Sequence, residues 1–120
     1  MLKRIITGVA VLGLALGGAV ATASTASAQT GTGCNYTGSE PTLSEWSSNA
    51  VAVQQLQCEL NRSLNPASHT PLTVDGSFGP NTLNAVRTFQ GCAGDGVDGS
   101  VGPQTWASLD FWAYSPNYVC

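Results

Sequence analysis

Residue types that carry out chemistry are scarce in this chain of 120 residues, and their spacing does not assemble a reactive set. His69 is the sole histidine, in a polar stretch from Pro66 to Thr73. One imidazole cannot build a hydrolytic zinc centre, which needs several His, Asp or Glu ligands around an open position. His69 is therefore expected to be an ordinary exposed loop residue. Asp75 and Asp98 are the obvious carboxylate pair for glycan cleavage, but each precedes a glycine in a turn-forming string that already explains it. Asp95-Gly96-Val97-Asp98-Gly99 concentrates acid and glycine without the ligand ladder and distal glutamate of a calcium loop. No metal and no cofactor is expected, and the chain is not expected to be an enzyme.

The four cysteines, Cys34, Cys58, Cys92 and Cys120, contain no C-x-x-C pair. In a short exported chain an even number reads as a disulfide framework, with three possible connectivities. Cys34 and Cys120 bracket the domain while Cys58 and Cys92 fall inside it, so the nested pairing Cys34–Cys120 and Cys58–Cys92 is expected.

Export itself is read from residues 1–28. Lys3 and Arg4 precede an apolar run from Ile5 to Ala23, and Ser24-Thr25-Ala26-Ser27-Ala28 offers a small-residue cleavage site ahead of Gln29. A cleaved signal peptide leaves no stable membrane anchor and places the product outside the cell or on its wall. Past residue 28 only Arg62 and Arg87 stand against all seven acidic residues. Such a surface lacks the clustered cations that nucleic acid or anionic lipid requires.

The elements that must position these residues are helical. Residues 29–48 read as an extended lead-in, rich in Gly, Thr and Ser, with Leu43 and Trp46 to bury. A helix is predicted from Ser48 or Asn49, either of which can cap it, with Val53, Leu56 and Leu60 on one face. Asn65-Pro66 ends that helix. Then Val74-Asp75-Gly76-Ser77-Phe78-Gly79-Pro80-Asn81-Thr82 returns as Val97-Asp98-Gly99-Ser100-Val101-Gly102-Pro103-Gln104-Thr105, with all but two positions alike. In each copy Asp-Gly turns the chain, the next apolar residue plugs the core, and Gly-Pro starts a helix. The first such helix carries Leu83, Val86 and Phe89 and is expected to end near Gln90; the second carries Trp106 and Leu109. The fold class is therefore all-α, a compact three-helix domain over residues 49–110. Residues 111–120 are expected to form an aromatic, irregular tail in which Trp112, Tyr114 and Tyr118 cover the core, the alternative being a stacking platform for ligand.

The string V-D-G-x-F/V-G-P-x-T, followed by an A-V-x-x-F-Q helix and preceded by Val53-Gln54-Gln55-Leu56-Gln57-Cys58-Glu59-Leu60-Asn61, resembles the peptidoglycan-binding-domain-1 family. The closing segment Val97 to Leu109 is similar to that family's last turn and helix. The resemblance implies a three-helix module that binds murein, and the added cysteines resemble versions exported by streptomycete-type bacteria. It leads to the expectation of a secreted, monomeric, non-catalytic module that binds cell-wall peptidoglycan through glycan or stem peptide. A secreted protein-interaction or inhibitor module on the same scaffold is the alternative, since fold does not dictate function. The binding groove is expected where the two repeated turns face one another, lined by Ser77, Thr82, Arg87, Ser100 and Thr105. Asp75, Gly76, Gly79, Pro80, Asp98, Gly99, Gly102 and Pro103 are expected to be structural.

Overall fold

The computed structural model describes residues 33–120, so the expected signal segment lies outside the described residues. Three helices follow one another: α1 over Ala50–Ser63, α2 over Pro80–Ala93 and α3 over Pro103–Ala113. The Asn49 side chain caps α1 by accepting from the Ala52 amide at 3.1 Å. Ala52, Val53, Leu56 and Leu60 form its buried stripe and pack against α2 and α3. Pro80 and Pro103 each occupy a first helical position after a glycine, where a missing N–H costs nothing.

Two helix ends lie further on than the sequence suggests. Gly91 does not stop α2, which continues to Ala93 and closes on Gly94 in the left-handed region (φ 81°) with its N–H on the Gln90 carbonyl. A mid-helix glycine weakens a helix by about 1 kcal/mol but does not break it, whereas a left-handed glycine terminates it. Likewise α3 passes Asp110 and reaches Ala113, because Ala113 is buried and Trp112 packs on the core. The irregular tail is therefore shorter than residues 111–120.

The core gathers Leu43, Leu56, Leu60, Phe78, Val86, Phe89, Val101, Trp106 and Leu109. Leu43 reaches it through an isolated antiparallel bridge to Val101, with backbone bonds of 3.1 and 2.8 Å, and Trp106 donates its indole N–H to the Pro41 carbonyl at 2.9 Å. These contacts pin the lead-in against the second repeated turn. Trp46, by contrast, is not buried as expected but 69% exposed.

The disulfides correct the nested pairing. Cys34 joins Cys58 and Cys92 joins Cys120, each pair with Cα atoms 5.8 Å apart, in place of Cys34–Cys120 and Cys58–Cys92. The reason is the path of the two ends. The lead-in doubles back along α1, where the Gln55 carboxamide accepts from the Tyr36 and Thr37 amides and donates to the Cys34 carbonyl, one turn before Cys58. The C-terminal tail returns to the end of α1, with the Val119 amide on the Ser63 carbonyl and the Asn65 amide on the Cys120 carbonyl. Each bridge thus closes a local loop, worth about 3 kcal/mol by chain entropy.

Candidate functional site

Two buried glutamines organise both repeated turns. The Gln57 carboxamide donates to the Asp75 carboxylate (3.0 Å), the Ser77 carbonyl (3.0 Å) and the Thr82 hydroxyl (3.1 Å), while its oxygen accepts from the Asp75 and Gly76 amides. Gln90 repeats the pattern with Asp98, Ser100 and Thr105, and accepts from the Asp98 and Gly99 amides. One side chain satisfies the inside of each turn, which needs buried donors and acceptors together, and a carboxamide supplies two N–H donors and an oxygen with two lone pairs. Gly76 and Gly99 sit at φ 79° and 77°, and a Cβ on Gly99 would approach Leu83 to 2.7 Å. Sequence reasoning missed these glutamines. Their signal is a second repeat, Ala52-Val53-x-x-Leu56-Gln57 against Ala85-Val86-x-x-Phe89-Gln90.

The two turns differ in what precedes them. Gln57 and Asp75 are 18 residues apart, Gln90 and Asp98 only 8. The additional chain forms the loop from Leu64 to Thr73. Asn61 clamps it, donating to the Leu72 carbonyl at 2.9 Å and accepting from its amide at 2.7 Å, and the Ser68 and His69 amides close on the Asn65 carbonyl. Between this loop and the start of α2 opens a groove of about 700 Å³. His69, Thr70, Pro71 and Thr73 form one wall, Asp75, Ser77 and Gly79 the end, and Asn81, Asn84 and Thr88 the other wall.

The structure does not bring together in this groove the five residues expected to line one between the two turns. Ser77 and Thr82 line the groove, but Arg87, Ser100 and Thr105 do not. Thr82 is buried, its hydroxyl committed to Gln57 and to the Ser77 carbonyl, and Thr105 is equally held by Gln90. Ser100 donates to the Leu43 carbonyl beneath the lead-in, and the Arg87 guanidinium lies beside Gly99. His69 is half-buried rather than freely exposed, with Nδ1 3.2 Å from the Asn65 carbonyl.

The groove offers hydrogen bonding and a helix terminus. No side chain caps α2, so the amide of the exposed Asn81 at its start is left without a side-chain partner and can meet an anion. The Asp75 carboxyl is held below the usual carboxylate range, first by the Ser77 amide and then by the Gln57 side chain; Asp98 is held down in the same way by Ser100 and Gln90. Both are anions engaged by their own turns. Asp95 accepts from Ser108 at 3.2 Å.

Outside the groove, Glu40 of the lead-in, Glu59 of α1 and Asp110 of α3 bring carboxylate oxygens within 4.8 Å of one another. Among the described residues these are the three that could share a cation, and an all-oxygen set suits a hard one. Burial, opposed by the Gln55 hydrogen bond and reinforced by Asp110 and Glu40, pushes the Glu59 carboxyl up to about 8. Burial and then Asp110 push Glu40 up to about 7. The aromatic tail partly covers the Cys34 end: the Tyr114 hydroxyl accepts from the Cys34 amide, and the Arg62 guanidinium lies 5.4 Å from its ring centroid. Tyr114, Tyr118 and Phe111 keep considerable exposure.

Comparison with known proteins gives one family match, "Putative peptidoglycan binding domain", over residues 49–109. The chain is 51% identical over 76 residues to an uncharacterized protein of Kitasatospora aureofaciens, covering 63% of this chain and 61% of that one. It is 44% identical over 77 residues to a zinc D-Ala-D-Ala carboxypeptidase of Streptomyces albus G, covering 64% of this chain and 28% of the relative. The chain therefore spans less than two thirds of either relative. No solved structure matches it.

Proposed function

The chain belongs to the peptidoglycan binding domain family, and on that premise we propose that it is an exported, monomeric, non-catalytic module that holds peptidoglycan in the groove of the first repeat. The observation that carries this reading is the uncapped start of α2 opening into that groove. Helix N-terminal amides take carboxylates, and the stem peptides of peptidoglycan end in one. The substrate in the carboxypeptidase's name is also a peptide terminus with a free carboxylate. Thr73, Ser77, Asn81 and Asn84 supply neutral hydrogen bonds beside it, which suits an acidic module that cannot rely on long-range attraction to an anionic wall.

Co-sedimentation with purified sacculi tests this. Wild type is expected in the pellet, displaced by soluble muropeptides, with no fragments released. Asn81→Glu places a carboxylate on the helix start, where it occupies the amides from within; retention should fall roughly ten-fold while the fold keeps its stability or gains slightly. Arg87→Ala, away from the groove, should bind as wild type. Wild type left in the supernatant favours a protein partner, and released fragments would make the chain a hydrolase.

A further inference from the structure

Trp46 combines three features that packing does not explain. Its backbone lies in the left-handed region at φ 71°, the single non-glycine residue to do so among those described. It is the third residue of a turn, Ser44-Glu45-Trp46-Ser47, closed by the Ser47 amide on the Ser44 carbonyl at 3.0 Å and by the Ser44 amide on the Ser47 hydroxyl at 2.9 Å. With positive φ only at its third residue, this is a type II turn, a position that favours glycine or asparagine. A bulky residue there is strained, and such strain persists where the surroundings enforce it. They do so here: the Trp46 amide donates to the Phe78 carbonyl at 2.8 Å, and the Leu43–Val101 bridge fixes the chain just before.

The strained backbone does not serve to bury the ring, which is 69% exposed. The edge of the indole instead lies over Gly79, its Cζ3 and Cη2 atoms 3.7 and 3.8 Å from where a Cβ would stand. Gly79 lines the end of the groove, so a rigid, flat apolar surface stands one residue away from a polar groove, with no side chain of residue 79 beneath the ring. A flat face beside neutral donors and acceptors matches a pyranose ring, which has one apolar C–H face and a rim of hydroxyl and amide groups.

Building on the groove reading above, we infer that Trp46 is a sugar subsite, stacking on an N-acetylated sugar of the glycan strand while the attached peptide runs into the groove. The ligand then spans both parts of peptidoglycan, with the sugar at the rim and the peptide carboxylate at the start of α2.

The test uses peptide-free glycan strands, prepared by stripping sacculi with an amidase, beside intact sacculi. Of the three tryptophans, Trp106 is buried and Trp112 half-buried, so Trp46 dominates the solvent-exposed emission. Adding glycan should shift that emission to the blue. Trp46→Gly should bind glycan roughly ten-fold more weakly, while relief of the backbone leaves the melting temperature equal or raises it by about 3 °C. Trp46→Tyr, which keeps a flat ring, should bind within about three-fold of wild type. Wild-type retention on sacculi with no blue shift, or with Trp46→Gly binding glycan as wild type does, overturns the sugar subsite and leaves wall binding standing. Absence of wild-type retention on sacculi overturns both.

Discussion

Gln90→Ala is expected to lower stability by about 3 to 5 kcal/mol, enough to leave a domain of this size close to unfolding. The Gln90 side chain is fully buried and has five hydrogen-bond partners, its two N–H groups shared among three acceptors and its oxygen accepting from two amides. Removing it strands the Gly99 amide and the Thr105 hydroxyl in a protein interior, where an unsatisfied group costs about 1–3 kcal/mol, and leaves a cavity between α2 and α3. Gln57→Ala removes the same five bonds from the first turn. Its cost should be smaller, because that turn borders the groove and water can reach part of the vacated network. Urea unfolding of both variants, with the disulfides intact, gives the comparison directly. Equal and small losses, under about 1 kcal/mol, would mean that the turns hold without their glutamines.

The second large effect is a fall in stability as pH rises. Glu59 is 1% exposed, and its carboxyl titrates at about 8 in the folded protein against an ordinary value of 4.5. Between those values the folded state holds a proton that the unfolded chain has released, so stability decreases with pH across the interval. Below 4.5 the contribution is complete; above 8 it is gone. Glu40, raised to about 7 beside Asp110, adds in the same direction but is exposed and weighs less. The other charged groups around Glu59 are the Asp110 carboxylate and, across the Tyr114 ring, Arg62, whose Nε is already engaged with the Ala113 carbonyl. From pH 5 to pH 9 the loss should be on the order of 3 to 5 kcal/mol. Asp75 and Asp98 act oppositely: their lowered carboxyls stabilise the fold above the ordinary aspartate range, and this is lost as pH falls through their folded values. Glu59→Gln, which mimics the protonated form, should flatten most of the alkaline decline and match wild type near pH 5. A wild-type stability that is level from pH 5 to 9 would contradict the burial of a protonated Glu59.

The helical architecture was legible because each signal was local. Asn49 caps, Pro80 and Pro103 start helices, and the stripe Val53-Leu56-Leu60 repeats at helical spacing. The repeated turns were visible as strings for the same reason. What stayed hidden depends on where distant segments return. The cystine pairing follows from the lead-in doubling back along α1 through Gln55 and from the tail meeting Asn65, neither of which any spacing encodes. The groove depends on the loop before Asp75, whose polar composition reads as mere connection until Asn61 is seen to clamp it. Thr82 and Thr105 look like available hydroxyls in a string and are inside the turns in space. Trp46 was assigned to the core on hydrophobicity, an inference that holds for most tryptophans and fails where the backbone is forced outward.

The near-equivalence of the two repeats supplies an internal control for the claim that the first one binds. Backbone amide resonances followed by NMR, while soluble muropeptide is added to the folded protein, report on both at once. The groove reading predicts shifts at His69, Thr70, Leu72, Thr73, Ser77, Asn81 and Thr82, with Ser100 and Thr105 of the second repeat unmoved. Shifts concentrated at the second repeat, or none at either, would contradict it.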